Sequence, residues 1–274
     1  MHESFSNVDQ ILIAFALTLF AGLSTGIGSA IAFFAKRTNT KFLSVALGFS
    51  AGVMIYLSFV EIFPKAKDIL SAEMGSQGGH LLTILAFFSG MLLIAIIDKL
   101  VPAFENPHEL RRVEQIHDQE REKNNKLYRM GMMSALAIAI HNFPEGLATF
   151  LAAMQDIKLG LPIAIAIAIH NIPEGIAISV PIHHATGSKR KAFKYSFLSG
   201  LAEPLGAVVG FFILMPFINE AVFGFMFASV AGIMVFISID NLLPAAREYG
   251  EPHLSIYGLT AGMAIMAISL IFLM

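Results

Sequence analysis

Long apolar runs separated by short polar stretches dominate this chain, at residues 11–34, 42–63, 81–97, 131–151, 159–182, 197–215, 221–243 and 255–274. A helix rises about 1.5 Å per residue, so about 20 apolar residues cross a hydrocarbon core of about 30 Å, and each run has roughly that length. None shows the period-two alternation of a barrel strand, and only helices and closed barrels satisfy their backbone groups inside lipid. The pattern predicts an all-α integral membrane protein of eight transmembrane helices, with residues 1–274 forming a single domain.

The polar stretches predict an orientation. The longest, 102–130, carries six basic residues (Arg111, Arg112, Arg121, Lys123, Lys126 and Arg129) beside six acidic ones, and reads as a partly helical loop between spans three and four. With the amino end outside, the cytoplasmic segments hold these six and also Lys36, Arg37, Lys41, Lys99, Lys189, Arg190, Lys191, Lys194 and Arg247, which makes 15 of the 18 Lys and Arg. The outside keeps Lys65, Lys67 and Lys158. Because basic residues are retained on the cytoplasmic side, both termini are expected outside and the 102–130 loop in the cytoplasm. Residues 1–10 lack the positive n-region of a cleaved leader, so the first run reads as a retained span.

Composition sharpens this picture. Of 274 residues 56% are hydrophobic and 14% charged, with a mean hydropathy of +0.70, against about 25% charged for an average soluble domain. The lipid bilayer is the expected surrounding. The absence of cysteine excludes disulfides and thiolate metal sites. A net charge of −2 gives no sign of a nucleic-acid partner.

Two pairs of segments repeat. Residues 51–66 read AGVMIYLSFVEIFPKA and 231–246 read AGIMVFISIDNLLPAA; upstream of them, GLSTGIG at 22–28 loosely matches GLAEPLG at 200–206. In the middle, AIAIHNFPEGLA at 137–148 matches AIAIHNIPEGIA at 166–177. The matched spans run in opposite directions, which predicts a 3+2+3 inverted-repeat organisation. Such repeats suit transporters, since two similar halves facing opposite ways can open a central site alternately to each side.

The middle repeat carries the chemistry. His141, Asn142 and Glu145 lie near the centre of span four, and His170, Asn171 and Glu174 near the centre of span five. An ionisable group at that depth costs about 2.5–3.5 kcal/mol on insertion scales unless it faces protein or water, so the two helices are expected to face each other. Spacings of three and four put each trio on one helical face. Pro144 and Pro173 free the carbonyls of Ile140 and Ile169, and Gly146 and Gly175 permit close helix approach. Imidazole beside carboxylate favours Zn²⁺, Fe²⁺, Mn²⁺, Co²⁺ or Ni²⁺ over Mg²⁺, Ca²⁺ or Cu(I), and two such sets could hold two ions in a loose, partly hydrated site from which cargo can leave. A buried polar network that only joins helices is the plainer reading, but it does not require two near-identical motifs.

Other polar residues within the runs are weaker candidates. Glu203, beside Pro204 in span six, is a further ligand candidate; Glu61 lies seven residues after Met54 on span two, hence on one face with it. Met54 also suits ordinary packing, and Glu61 an interfacial carboxylate. Asp98 and Asp240 read as solvated cytoplasmic ends. His108, His117, His183 and His184 could receive released metal, and His2, His80 and His253 read as surface residues.

HNFPEG at 141–146 and HNIPEG at 170–175, with SGLAEPLG at 199–206 and SIDNLLP at 238–244 in support, resemble the signature of the ZIP family of metal transporters (Zrt- and Irt-like proteins), closest to a bacterial type of it. The resemblance spans essentially the whole chain. It implies a secondary transporter that takes zinc, and also iron, manganese, cobalt or cadmium, into the cytoplasm by an elevator-like or rocking alternating-access motion. No resident cofactor is implied; the transported ions themselves occupy the site. By position, His141, Glu145, His170 and Glu174 would serve one metal, and Asn142, Glu145, Asn171, Glu174 and Glu203 the other, with Met54 and Glu61 on the route or at its edge. A bacterial inner (plasma) membrane is the implied location, and a homodimer is left open. One departure is Asn241, where relatives of the bacterial type usually place Glu. Two rival functions are a passive metal channel and an intramembrane metallohydrolase; the second lacks the H-E-x-x-H arrangement, because Asn142 follows His141 where the general base would stand.

Overall fold

A computed structural model of the chain describes residues 7–32, 40–100, 120–214, 217, 219–249 and 252–273. Among them there is no strand. The helices are α1 (Asn7–Ala32), α2 (Thr40–Leu57), α3 (Phe63–Leu100), α4 (Glu120–Gln155), α5 (Ile157–Thr186), α6 (Lys189–Gly200), α7 (Ala202–Val209), α8 (Glu220–Ile237), α9 (Leu243–Tyr249) and α10 (Pro252–Leu273). Six stretches are long and apolar enough to cross a membrane: Val8–Ile31, Ser44–Lys99, Ile157–His183, Lys189–Ile213, Glu220–Arg247 and His253–Ile271. The protein is an all-helical, multi-pass membrane protein. His2, Lys36, Arg37, His108, Arg112 and His117 lie outside the described residues, as does most of the 102–130 loop; the part of that loop from Glu120 on is helical and continuous with the fourth apolar run.

Several boundaries follow from single residues. Ser44–Lys99 covers 56 residues, far more than one crossing, and within it α3 breaks at Gly75 (φ 76°, ψ 160°), a backbone that glycine adopts without Cβ strain. Gly79 then packs on the backbone of Leu70 and Ser71, so the chain doubles back there. The turn between α4 and α5 is capped by the Asp156 carboxylate, which accepts from the Lys158 amide at 2.9 Å. Gly187 ends α5 in the left-handed conformation (φ 64°), its amide donating to the His183 carbonyl.

Two π-helical turns, Ser58–Ile62 and Ser238–Leu242, occupy matching places in the 51–66 and 231–246 repeats. Pro64 and Pro244 sit just beyond them. A proline ring clashes with the carbonyl four residues back and offers no amide, and widening the preceding turn relieves both problems. In each turn a bond spans five residues: Phe63 donates to Ser58 and Leu243 to Ser238.

The helix surfaces are inverted relative to a water-soluble bundle. On α1 the large residues Leu12, Leu19, Phe20, Leu23, Ile27 and Ile31 are exposed, while Ala14, Thr18, Ala21, Thr25 and Ser29 are buried. In lipid, apolar side chains lose nothing by facing outward, and small residues let backbones approach. Some buried hydroxyls are satisfied locally, as where Thr18 donates to the Ala14 carbonyl at 2.9 Å.

Helices α1, α4, α5, α6 and α7 pack among themselves, while α2 packs mainly on α10 and α3 on α8; α2 against α5 is the main seam between the two groups. Backbone-to-backbone contacts at glycine mark the pairings. Gly28 abuts the Ile172 carbonyl between α1 and α5, and Gly206 abuts the Phe143 carbonyl between α7 and α4. Gly52 abuts Leu259 between α2 and α10, and Gly232 abuts Phe87 between α8 and α3. Within each pair, the glycines occupy equivalent places in the sequence repeats.

Candidate metal centre

The site lies where α4 and α5 pass each other at the level of their internal prolines, Pro144 and Pro173. His141 is 3% exposed, and Asn142, Glu145, His170, Asn171, Glu174 and Glu203 are fully buried. Helix approach depends on the glycine after each glutamate: Gly146 rests on the backbone of Glu203 in α7, and Gly175 on the carbonyl of Thr25 in α1. The sequence repeats set this up, because Thr25 and Glu203 occupy the same position in the matched segments 22–28 and 200–206.

The histidines and glutamates pair crosswise. His141 Nε2 lies 3.3 Å from Glu174 Oε2, and His170 Nε2 lies 3.4 Å from Glu145 Oε2. The asparagines reach outward: Asn142 donates to the Ser199 carbonyl at 3.2 Å, and Asn171 to the Ala21 carbonyl at 2.9 Å. Asn171 also donates to Glu203, which brings the α7 carboxylate into electrostatic range of Glu145 and Glu174. Sequence reasoning missed Ser50 on α2, whose hydroxyl donates to the His170 carbonyl at 3.3 Å and lies 3.5 Å from Glu174 Oε1. A hydroxyl inside an apolar run was the available signal, one that Ser50 shares with Ser44 and Ser58.

The cluster is rich in unused acceptors. Asn142 Oδ1, Glu145 Oε1, Asn171 Oδ1 and Glu203 Oε2 are buried without a hydrogen-bond partner among the described residues, as is His170 Nδ1. Buried polar groups are normally paired, and three carboxylates at this depth call for positive charge. In this conformation no three His, Asp or Glu side chains among the described residues converge as a ready ligand set, and two of the carboxylates are engaged by imidazoles. Metal entering the site would compete for the carboxylate oxygens with the imidazoles that themselves can ligate it.

The profile of the ZIP zinc transporter family matches residues 102–270, which contain both motifs and Glu203. A protein named zinc transporter ZupT from Streptococcus mutans is 64% identical over 262 residues, covering 96% of this chain and 98% of the relative. The chain belongs to the ZIP family. ZupT proteins from Oceanobacillus iheyensis and Lysinibacillus sphaericus are 63% identical over 267 residues and 64% over 265, and cover 97% and 96% of this ZIP chain. The chain in turn covers 100% and 98% of those relatives.

The remaining candidates separate from the paired motifs in different degrees. Met54 is fully buried in the apolar core of α2. Glu61 sits in the first π-helical turn and is half-buried. Asp240 and Asn241 lie in the matching π-helical turn; Asp240 is exposed and in range of Asp98.

Proposed function

We propose that this protein is a secondary transporter that moves zinc, and also iron, manganese, cobalt and cadmium, into the cytoplasm by alternating access. The observation that carries the reading is the fully buried set of Glu145, Glu174 and Glu203 beside His141 and His170, with carboxylate and amide oxygens that have no partner among the described residues. A mixed nitrogen and oxygen set without thiolate suits a borderline divalent ion. The names of the ZupT relatives point the same way.

In this reading Glu145 and Glu174 bridge two ions. His141 and His170 complete one position; Asn142, Asn171 and Glu203 complete the other, with Met54 and Glu61 along the route. Glutamate supplies the opposite charge that makes a divalent ion tolerable at this depth, and imidazole supplies selectivity over Mg²⁺ and Ca²⁺. The crosswise pairs hold the carboxylates when no ion does.

The eight-span, 3+2+3 inverted organisation draws support from the reversal at Gly75, from the fourth apolar run inside α4, and from the equivalent glycine contacts of Gly28 with Gly206 and Gly52 with Gly232. Movement of α1, α4, α5, α6 and α7 against the other helices along the α2–α5 seam would expose the site to each side in turn. The distribution of basic residues favours both termini outside, and the bacterial relatives favour an inner (plasma) membrane location. Competitive uptake of Zn²⁺, Fe²⁺ and Mn²⁺ into metal-free proteoliposomes tests the function: saturable zinc uptake, inhibited by the other ions, is expected. Non-saturating flux would mark a channel instead.

A further inference from the structure

The polar cluster is built on an approximate two-fold, and at one position the two-fold is broken. Asn171 donates to the Ala21 carbonyl and Asn142 to the Ser199 carbonyl, and Ala21 and Ser199 are equivalent in the sequence repeats. Gly175 rests on Thr25 and Gly146 on Glu203. A Cβ at Gly22 would lie 3.4 Å from the Glu203 Cβ, and one at Gly200 would lie 3.0 Å from the Thr25 Cβ. Every member of one set therefore has its image in the other, with Thr25 standing where Glu203 stands.

On the Glu203 side the long side chain reaches the Asn171 amide. On the Thr25 side the hydroxyl sits on Cβ, two bonds short of a glutamate carboxylate carbon. Thr25 is fully buried, and both Thr25 Oγ1 and Asn142 Oδ1 lack a hydrogen-bond partner among the described residues. The two asparagine oxygens are unused alike; the two-fold breaks where Asn171 Nδ2 meets the Glu203 carboxylate, while no hydrogen bond among the described residues joins Asn142 to the Thr25 hydroxyl.

We propose that Thr25 gives the Asn142 side of the cargo site a neutral oxygen pole, its hydroxyl holding a water of the hydration shell of a divalent transition-metal ion that Asn142 ligates, and that Thr25 is the residue that confines direct carboxylate ligation to the Glu203 side. The inference rests on the two-ion reading above. A neutral amide ligand and a hydroxyl that holds water add no charge, so the ion is gripped on one side and left partly hydrated on the other. That asymmetry favours release of the ion, which a site closed by carboxylates on both sides would hinder.

The test moves the carboxylate across the two-fold. Zinc stoichiometry and affinity are measured by titration of purified, monodisperse wild type, Glu203→Thr, and the double variant Glu203→Thr/Thr25→Glu. The expected result is two ions for wild type, one for Glu203→Thr, and two again for the double variant. Thr25→Val, which removes only the hydroxyl, should keep two ions but raise the KM for zinc about five-fold, the scale of one hydrogen bond. If the double variant is not monodisperse, Glu203→Thr/Thr25→Asp replaces it with the same expectation. A double variant that stays at one ion while wild type holds two overturns the role of Thr25 alone. Fewer than two ions in wild type, or no loss in Glu203→Thr, overturns the two-ion reading and this inference with it.

Discussion

The imidazole of His141 lies 3.3 Å from the carboxylate of Glu174 on the neighbouring helix, although Glu145 stands one helical turn away on its own. His170 pairs with Glu145 in the same crosswise manner at 3.4 Å. Neither HNxPEG motif is a unit by itself; each supplies half of two pairs. Removing one member of a buried pair leaves its partner without compensation, which costs more than the pair contributes.

Glu203 is expected to act through the ion rather than through the fold. Glu203→Ala removes a carboxylate that, among the described residues, is bonded to Asn171 alone, and leaves the α7 backbone that packs on Gly146. Zinc uptake normalised to membrane protein should fall about tenfold, the size of one charge-assisted contact, or the Zn²⁺ to Fe²⁺ preference should change. Unchanged kinetics for both ions would exclude Glu203 from the site.

Gly175 is expected to carry stability. A methyl there would overlap the Thr25 carbonyl, whereas one at Gly78 would meet only the Met74 Cβ, at 3.5 Å. Gly175→Ala should cost roughly 1–3 kcal/mol, as overpacking does, and lower the unfolding temperature in detergent; Gly78→Ala should change it little. Equal melting of the two variants would show that α1 and α5 do not need this contact.

Lowering the pH from 7.5 to 5.5 should reduce zinc uptake. Free imidazole has a pKa of about 6.5, and metal binds only the unprotonated form, so protons and metal compete for His141 and His170. The sign is fixed: the apparent KM for zinc should rise as pH falls, and saturating zinc should restore much of the rate. A fall that saturating zinc leaves untouched would place the proton effect elsewhere.

Orientation can be checked with single cysteines, since the chain contains none of its own. In intact cells an impermeant thiol reagent should label Asp156→Cys, in the turn between α4 and α5, and spare Lys189→Cys, at the start of α6. Labelling at position 189 from outside would reverse the assignment.

The all-helical class, the helical runs and the residues of the buried cluster were legible in the sequence because lipid imposes length and polarity rules that short motifs cannot escape. Gly146 and Gly175 were legible as points of close approach, but not the helices they meet, α7 at Glu203 and α1 at Thr25. The crosswise pairing was not legible: spacing places His141 and Glu145 on one face but says nothing of the rotation of α4 against α5. The interruption of the helix after Leu57 was not legible either, because seven-residue spacing assumes 3.6 residues per turn throughout and the π-helical turn at Ser58–Ile62 begins between Met54 and Glu61. Ser50 and Thr25 escaped notice because a hydroxyl in an apolar helix usually bonds its own backbone, as Thr149 does to the Glu145 carbonyl at 2.9 Å.

The most direct test of a shared ion site is zinc uptake by Glu145→Gln and Glu174→Gln in proteoliposomes, measured beside wild type at equal amounts of folded protein. Each change keeps volume and a hydrogen-bonding group but removes one negative charge, so electrostatics and packing are separated. If both carboxylates hold the same cargo, each single variant should lose most of its transport, at least about tenfold by the scale of a buried charge-assisted contact, and neither should substitute for the other. Near-normal zinc uptake by either variant would contradict the account.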